Sequence, residues 1–302
     1  PSKNIIYVTN LDSKSVSIID GINNEVIKTI KLNHIPYGIT LNPLTNKIYI
    51  SNIDNSTVSV IDGKTNQVLD NITVGIVPTG LYIDLKTNIL YAANYVSNTM
   101  SIIDANTNKI KSTVKVGKSP VDIAADSLSN KIYVSNLGDN TVSVINATTS
   151  EKIKDISLGT KIAESYESID PSLDLPIEVA FPLVASRLAV NPDTNLIYVS
   201  NTSFNGISVI DSKIDQIVVR LSVNVNPENS GTVECNNYRF PSIHSILYPH
   251  NTEITCVAHA SREKSFDFWS DMLSTNKNPV TFNVTENNQL TANFKDSKST
   301  EK

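Results

Sequence analysis

A chain of 302 residues, 40 % hydrophobic, 18 % charged and with a net charge of −5, has the apolar material for a sizeable core and lacks the basic excess of a nucleic-acid binder. At about 150 residues per domain it predicts two domains or one large repetitive one. No apolar run approaches the roughly 18 residues of a membrane span, and Cys235 and Cys256 are too few for a Cys-rich zinc site, an iron–sulfur cluster or a disulfide framework.

Tyr7-Val8-Thr9-Asn10 is the first strand-like motif, and it returns as Tyr49-Ile50-Ser51-Asn52, Tyr91-Ala92-Ala93-Asn94, Tyr133-Val134-Ser135-Asn136 and Tyr198-Val199-Ser200-Asn201. The spacings are 42, 42, 42 and 65 residues. Ten residues beyond each Asn a second motif ends, at Ile19-Asp20, Ile61-Asp62, Ile103-Asp104, Ile145-Asn146 and Ile210-Asp211. Pro36, Pro78 and Pro120 keep the same phase, as do the turn segments 42–46, 84–88, 126–130 and 191–195. Such a repeat decides the fold before any single element does.

Within the second period four strand-like runs follow one another, at 37–42, 47–52, 57–62 and 67–74. Runs such as Val58-Ser59-Val60-Ile61 are β-branched and alternating, and helix signals are almost absent. The chain holds 36 Asn against 10 Gly. Asn tolerates the left-handed backbone region because its short amide bonds locally, so it is expected to serve as the turn residue. Four antiparallel strands per period of about 40–45 residues predict an all-β fold, a β-propeller.

The Tyr-Val-Thr-Asn and Val-Ser-Val-Ile-Asp motifs in this register resemble the YVTN-repeat family of β-propellers, over about residues 1–217. The resemblance implies an extracellular or cell-surface protein, as in the archaeal surface-layer members of that family. About five four-stranded blades are visible, the first beginning at its second strand. Family rings usually close with seven, so the reading is an N-terminally truncated larger propeller. Its unpaired edges would favour self-association. Pro1 in place of Met fits a natural start, with any signal peptide, lying upstream.

Beyond residue 217 the period breaks. Strands are expected at 221–226, 232–234, 252–260, 266–271, 279–284 and 290–294. The pattern resembles the divergent InlB B-repeat module of bacterial and archaeal surface proteins, over about residues 218–296. Lys264-Ser265 stands where that family carries Gly-Tyr, and the stretch 236–250 is longer than usual. Residues 297–302 form a polar tail. Trp269 is expected to fill this domain's core with Phe266 or Phe268.

The repeated Asp and Asn read as turn caps rather than calcium ligands, because no turn shows the Asp-x-Asp-x-Asp-Gly pattern of a calcium loop. The repeated Tyr is expected to pack between blades. His34, His244, His250 and His259 have no metal spacing, and no phosphate loop, nucleophile elbow or haem motif is present. Neither a metal nor a cofactor is expected.

Four candidate features remain. Asp122 and Arg187 occupy the position held by Gly38 and Gly80 in the preceding repeats and are expected to sit close together at the channel mouth, as an ion pair or as a handle for a polar ligand. The 23 extra residues of the last interval (65 minus 42) carry Glu164, Tyr166, Glu167, Asp170, Asp174 and Glu178 against Lys161. They make an acidic loop suited to a cation or basic partner. Cys235 and Cys256 are candidates for a disulfide, with two buried thiols as the alternative. Sequons at Asn55, Asn71, Asn146, Asn201 and Asn283 are candidate glycosylation sites. The expected function is a non-enzymatic cell-surface or secreted protein acting in binding, adhesion or surface-layer assembly, with surface proteins, glycans or itself as partner. The alternative is a propeller enzyme of lactonase or lyase type working at the channel mouth.

Overall fold

The computed structural model describes residues 4–159, 187–201, 206–240 and 243–297. They form strands and turns only, in two compact units, Pro1–Asp215 and Gln216–Lys302. The first unit starts with β1 (Ile5–Asn10), β2 (Ser15–Asp20) and β3 (Glu25–Lys31), a three-stranded sheet in that order. Three four-stranded meanders follow. They are β4 (Pro36–Asn42), β5 (Lys47–Asn52), β6 (Thr57–Asp62) and β7 (Val68–Thr73); β8 (Pro78–Asp84), β9 (Ile89–Asn94), β10 (Thr99–Asp104) and β11 (Lys109–Lys115); and β12 (Pro120–Asp126), β13 (Lys131–Asn136), β14 (Thr141–Asn146) and β15 (Lys152–Ser157). A fifth sheet contains β16 (Leu188–Asn191), β17 (Leu196–Asn201) and β18 (Gly206–Asp211). The sheets are propeller blades, and the first does begin at its second strand.

The blades meet along their first strands, with β4 beside β8, β8 beside β12 and β12 beside β16. These are therefore the inner strands, while β3, β7, β11 and β15 face largely outward. The apolar cores lie between blades. Tyr49, Val58 and Val60 of the second blade pack on Leu81, Ile83, Leu90 and Ile103 of the third. Tyr91, Met100 and Ile102 of the third pack on Ile123, Ile132, Val134 and Ile145 of the fourth. At roughly 1.5–3 kcal/mol per fully buried aliphatic side chain, these faces dominate the stability of the unit. A β-bulge recurs between the third and fourth strands, at Ile18/Ile19, Val60/Ile61, Ile102/Ile103 and Val144/Ile145. Each adds local twist to its sheet at the same phase.

Asn does take the turn positions. Asn24, Asn46, Asn66, Asn88, Asn108, Asn130 and Asn195 all have φ between 53° and 60°. The Asn that ends each of the first four Tyr motifs does other work: its amide crosses the following turn. Asn52 donates to Thr57 Oγ1 (2.9 Å) and Ser59 Oγ (2.8 Å). Asn10, Asn94 and Asn136 repeat the pair of bonds to Ser15 and Ser17, Thr99 and Ser101, and Thr141 and Ser143.

The second unit contains β19 (Gln216–Asn226), β20 (Gly231–Cys235), β21 (Tyr238–Phe240), β22 (His244–Pro249), β23 (Thr252–Ala260), β24 (Lys264–Asp271), β25 (Val280–Val284) and β26 (Asn288–Asp296). β19 pairs antiparallel with β22 and parallel with β26, which pairs antiparallel with β24. A second sheet runs β21-β20-β23-β25. Their shared core gathers Leu221, Val223, Val233, Ile254, Val284 and Leu290 around Trp269, which has no exposed surface. Phe266 packs 5.3 Å from the indole, whereas Phe268 is 42 % exposed. The strand expected from Leu221 begins five residues earlier, at Gln216, and the long 236–250 stretch supplies β21 and β22.

Candidate functional site

The inner strands are held together near their starts by side chains that reach from one blade to the next. Thr9 Oγ1 donates to Tyr37 O (3.0 Å), Ser51 Oγ to Thr79 O (2.7 Å) and Thr79 Oγ1 to Pro120 O (3.0 Å). Glycine is required at positions 38 and 80 because the backbones converge there. A Cβ on Gly38 would collide with the Thr79 carbonyl, and one on Gly80 would lie 2.5 Å from Val121 O and 2.8 Å from Asp122 Cα.

Between the fourth and fifth blades the same work falls to Asp122. Its Oδ2 accepts the Leu188 N–H at 3.0 Å, and its Oδ1 lies 3.7 Å from the Arg187 guanidinium. The two charged residues named from the repeat are thus brought together. Burial raises the Asp122 pKa above the ordinary carboxylate value, and the Leu188 amide and the Arg187 charge oppose that rise. The Arg187 side chain is 54 % exposed against 15 % for Asp122. The pair is therefore asymmetric, with an anchored carboxylate and an arginine whose fork still faces solvent. The role of the Leu188 amide was not readable from the sequence, since any residue supplies an N–H.

The repeat carboxylates cap turns. Asp62 Oδ1 accepts the N–H groups of Lys64 (2.6 Å) and Thr65 (3.0 Å), and Asp104 Oδ1 those of Asn106 and Thr107. Those backbone bonds hold both carboxyls below their ordinary pKa. Asn42, Asn146 and Asp211 cap in the same way. The repeated Tyr49 and Tyr133 are buried, and Tyr91 is 2 % exposed. Burial pushes the phenols of Tyr49 and Tyr91 up to about 12, so both stay protonated. Tyr7 is half-buried and Tyr198 is 36 % exposed, in the first and last of the described blades.

Cys235 and Cys256 are directly opposite on β20 and β23 and form a disulfide, with Cα atoms 4.2 Å apart. Of the sequon residues, Asn55, Asn71 and Asn283 are exposed, while Asn146 is half-buried and engaged in its cap. The Asn201 side chain and the loop residues Glu164, Tyr166, Glu167, Asp170, Asp174 and Glu178 lie outside the described residues.

Blades meeting along inner strands, joined in one chain to a small disulfide-bonded β unit, define a propeller-based scaffold protein. Residues 1–163 match the YNCE-like beta-propeller family, and residues 221–298 match the divergent InlB B-repeat domain. The chain belongs to the YNCE-like β-propeller family. Among solved structures it is similar to a chain of hydrazine synthase from Kuenenia stuttgartiensis, with a TM-score of 0.49 and 16 % identity. That similarity covers 75 % of this chain and 56 % of that one. No curated protein matches. The two modules together fit a surface-binding scaffold.

Proposed function

We propose that the chain acts outside the cell as a non-enzymatic binding scaffold, in adhesion or surface-coat assembly, through recognition of a surface protein or glycan. The observation that carries the setting is the Cys235–Cys256 disulfide inside a unit matching the InlB B-repeat domain. Structural disulfides persist in oxidising compartments and are rare in a reducing cytosol. The binding handle in this reading is Arg187. Its guanidinium is held near Asp122 but stays open to solvent, which suits a carboxylate or sulfate on a partner.

The test uses intact producing cells. A membrane-impermeant amine reagent should label the protein, and protein isolated in the presence of an alkylating agent should show no free thiol. An unlabelled protein with two free thiols overturns the extracellular setting. For the handle, the probe is a uronate-bearing polysaccharide beside the same polymer with its carboxyls reduced. Arg187→Ala should weaken binding of the first and leave thermal unfolding within a few degrees. Equal binding of both polymers by the wild type overturns the role of Arg187.

A further inference from the structure

The repeat places an ammonium group at two of its blade interfaces, and at two others an isoleucine stands in the lysine's place. Between the second and third blades, Lys47 Nζ donates to Ala105 O at 3.0 Å and approaches Asn108 Oδ1 at 3.5 Å. The Tyr49 hydroxyl donates to the same Ala105 carbonyl at 3.4 Å. Between the fourth and fifth blades, Lys131 Nζ donates to Ser212 O (2.7 Å) and Asp215 Oδ2 (2.7 Å), and the Tyr133 hydroxyl donates to Asp215 Oδ1 (3.0 Å). In both cases a lysine two residues before the repeat Tyr crosses to the turn after the next blade's third strand.

Between the third and fourth blades that lysine is Ile89. The groups it would meet are still there. The facing turn residue is Ala147, whose carbonyl accepts no hydrogen bond from any described residue, and the Tyr91 hydroxyl likewise has no hydrogen-bond partner among them. A cavity of about 430 Å³ opens at this interface. Ile89, Tyr91, Ala125, Ile132 and Ala147 wall it, and Asp84 and Asp126 also line it. Lys131 lines it too, but its ammonium is committed to Ser212 and Asp215 across the next interface. Lys86 and Lys111 are exposed at its edge. Ile5 of the first blade also replaces the lysine, and both isoleucines pack against their neighbouring apolar clusters; the cavity lies at the Ile89 interface, which singles that one out.

We propose that the cleft between the third and fourth blades binds a primary alkylammonium whose far end carries a carboxylate. The ammonium takes the place that Lys47 and Lys131 fill at the neighbouring interfaces, against the Tyr91 hydroxyl and the Ala147 carbonyl. An alkyl stem lies along Ile89 and Ile132, as a lysine stem covers apolar surface elsewhere. Lys86 and Lys111 receive the carboxylate. This site is separate from Arg187 and does not depend on where in the cell the protein works.

Calorimetric titration of the full chain with ε-aminocaproate, cadaverine and caproate tests the site. Saturable binding of ε-aminocaproate, tighter than that of cadaverine, which has no carboxylate, or of caproate, which has no ammonium, is expected. Tyr91→Phe should weaken it about tenfold, the order of one hydrogen bond to a charged group. Ile89→Lys should abolish it, because the chain then fills its own receptor, with thermal stability equal to or above wild type. Absence of amine binding, or unchanged binding in a folded Ile89→Lys variant, overturns the proposal. Tighter binding of cadaverine than of ε-aminocaproate overturns the part given to Lys86 and Lys111.

Discussion

The two units are held together in different ways. In the propeller the same small device is repeated: an Asn amide across a turn, an Asx cap, a hydroxyl reaching to the next blade. No single residue in it is central. The Gln216–Lys302 unit has no repeat, and its apolar core is built around one indole and closed by one disulfide. A unit of under 100 residues buries a smaller fraction of its surface, so it depends on a few large contacts and a covalent link. Repetition spreads risk, while a small core concentrates it.

The largest effect that would break this contrast lies at Trp269. Its ring has no exposed surface and its Nε1–H donates to Lys277 O at 2.9 Å. Trp269→Ala should cost the second unit about 4 kcal/mol from the cavity and the lost bond. Unfolding followed by a probe in that unit would read it, and a loss below about 1 kcal/mol would show that its core is not concentrated.

Next comes the disulfide. It links residues 21 apart, and in the chain-entropy model a loop of that size contributes about 3 kcal/mol. Replacing both cysteines by alanine should lower the denaturant midpoint of the second unit and leave that of the propeller unchanged. A shift in the propeller alone would reverse the assignment.

A smaller effect separates two copies of one device within the propeller. Asn52 and Asn94 make the same two donor bonds, but only Asn94 Oδ1 also accepts, from Gly75 N–H at 3.2 Å. Asn52 Oδ1 is buried without a partner among the described residues. Asn94→Ala should therefore destabilise more than Asn52→Ala, by about 1 kcal/mol, the value of one net hydrogen bond. Equal losses in urea unfolding would mean that the acceptor bond contributes nothing.

The smallest effects are pH-dependent and have opposite signs. Asp62 and Asp104 have depressed pKa values in the fold, so their contribution is present above the unfolded pKa of about 4 and is lost as pH falls through the folded value. Asp122 is raised, so its charged form costs stability at neutral pH, and that cost is relieved as pH falls through its folded pKa. Asp62→Asn should flatten the acid limb of the stability curve slightly, and Asp122→Asn should steepen it. Removing the guanidinium in Arg187→Ala should raise the Asp122 pKa further, as read by carboxyl NMR titration.

Much of this is legible in the sequence. The 42-residue phase located every strand of the second blade to within a residue or so at each end, because turn chemistry and β-branching recur in step. The juxtaposition of Asp122 and Arg187 was also readable, since one repeat position in adjacent blades must be adjacent in space. Other features were not. The start of β19 at Gln216 is not readable, because the boundary expected at residue 217 and the strand expected from Leu221 rest on alternation, which alone does not mark where one unit yields to the next. β21 and β22 were missed because Tyr238–Phe240 is too short for a periodic signal, and the strand at His244–Pro249 ends on a proline. Phe266 and Phe268 carry the same apolar signal, and the bulge between them in the pairing with β26 changes which ring meets Trp269.

The amino-acid sequence by itself determined the repeat, its blade architecture and the chemistry of its turns, because a period of 42 residues forces equivalent residues into equivalent places. Only the tertiary structure decided which side chains meet between blades. Lys47 and Lys131 look like ordinary surface lysines in the sequence, and Ile89 an ordinary strand residue. Their meaning appears only once the next blade brings a carbonyl within reach, a distance that local sequence does not encode.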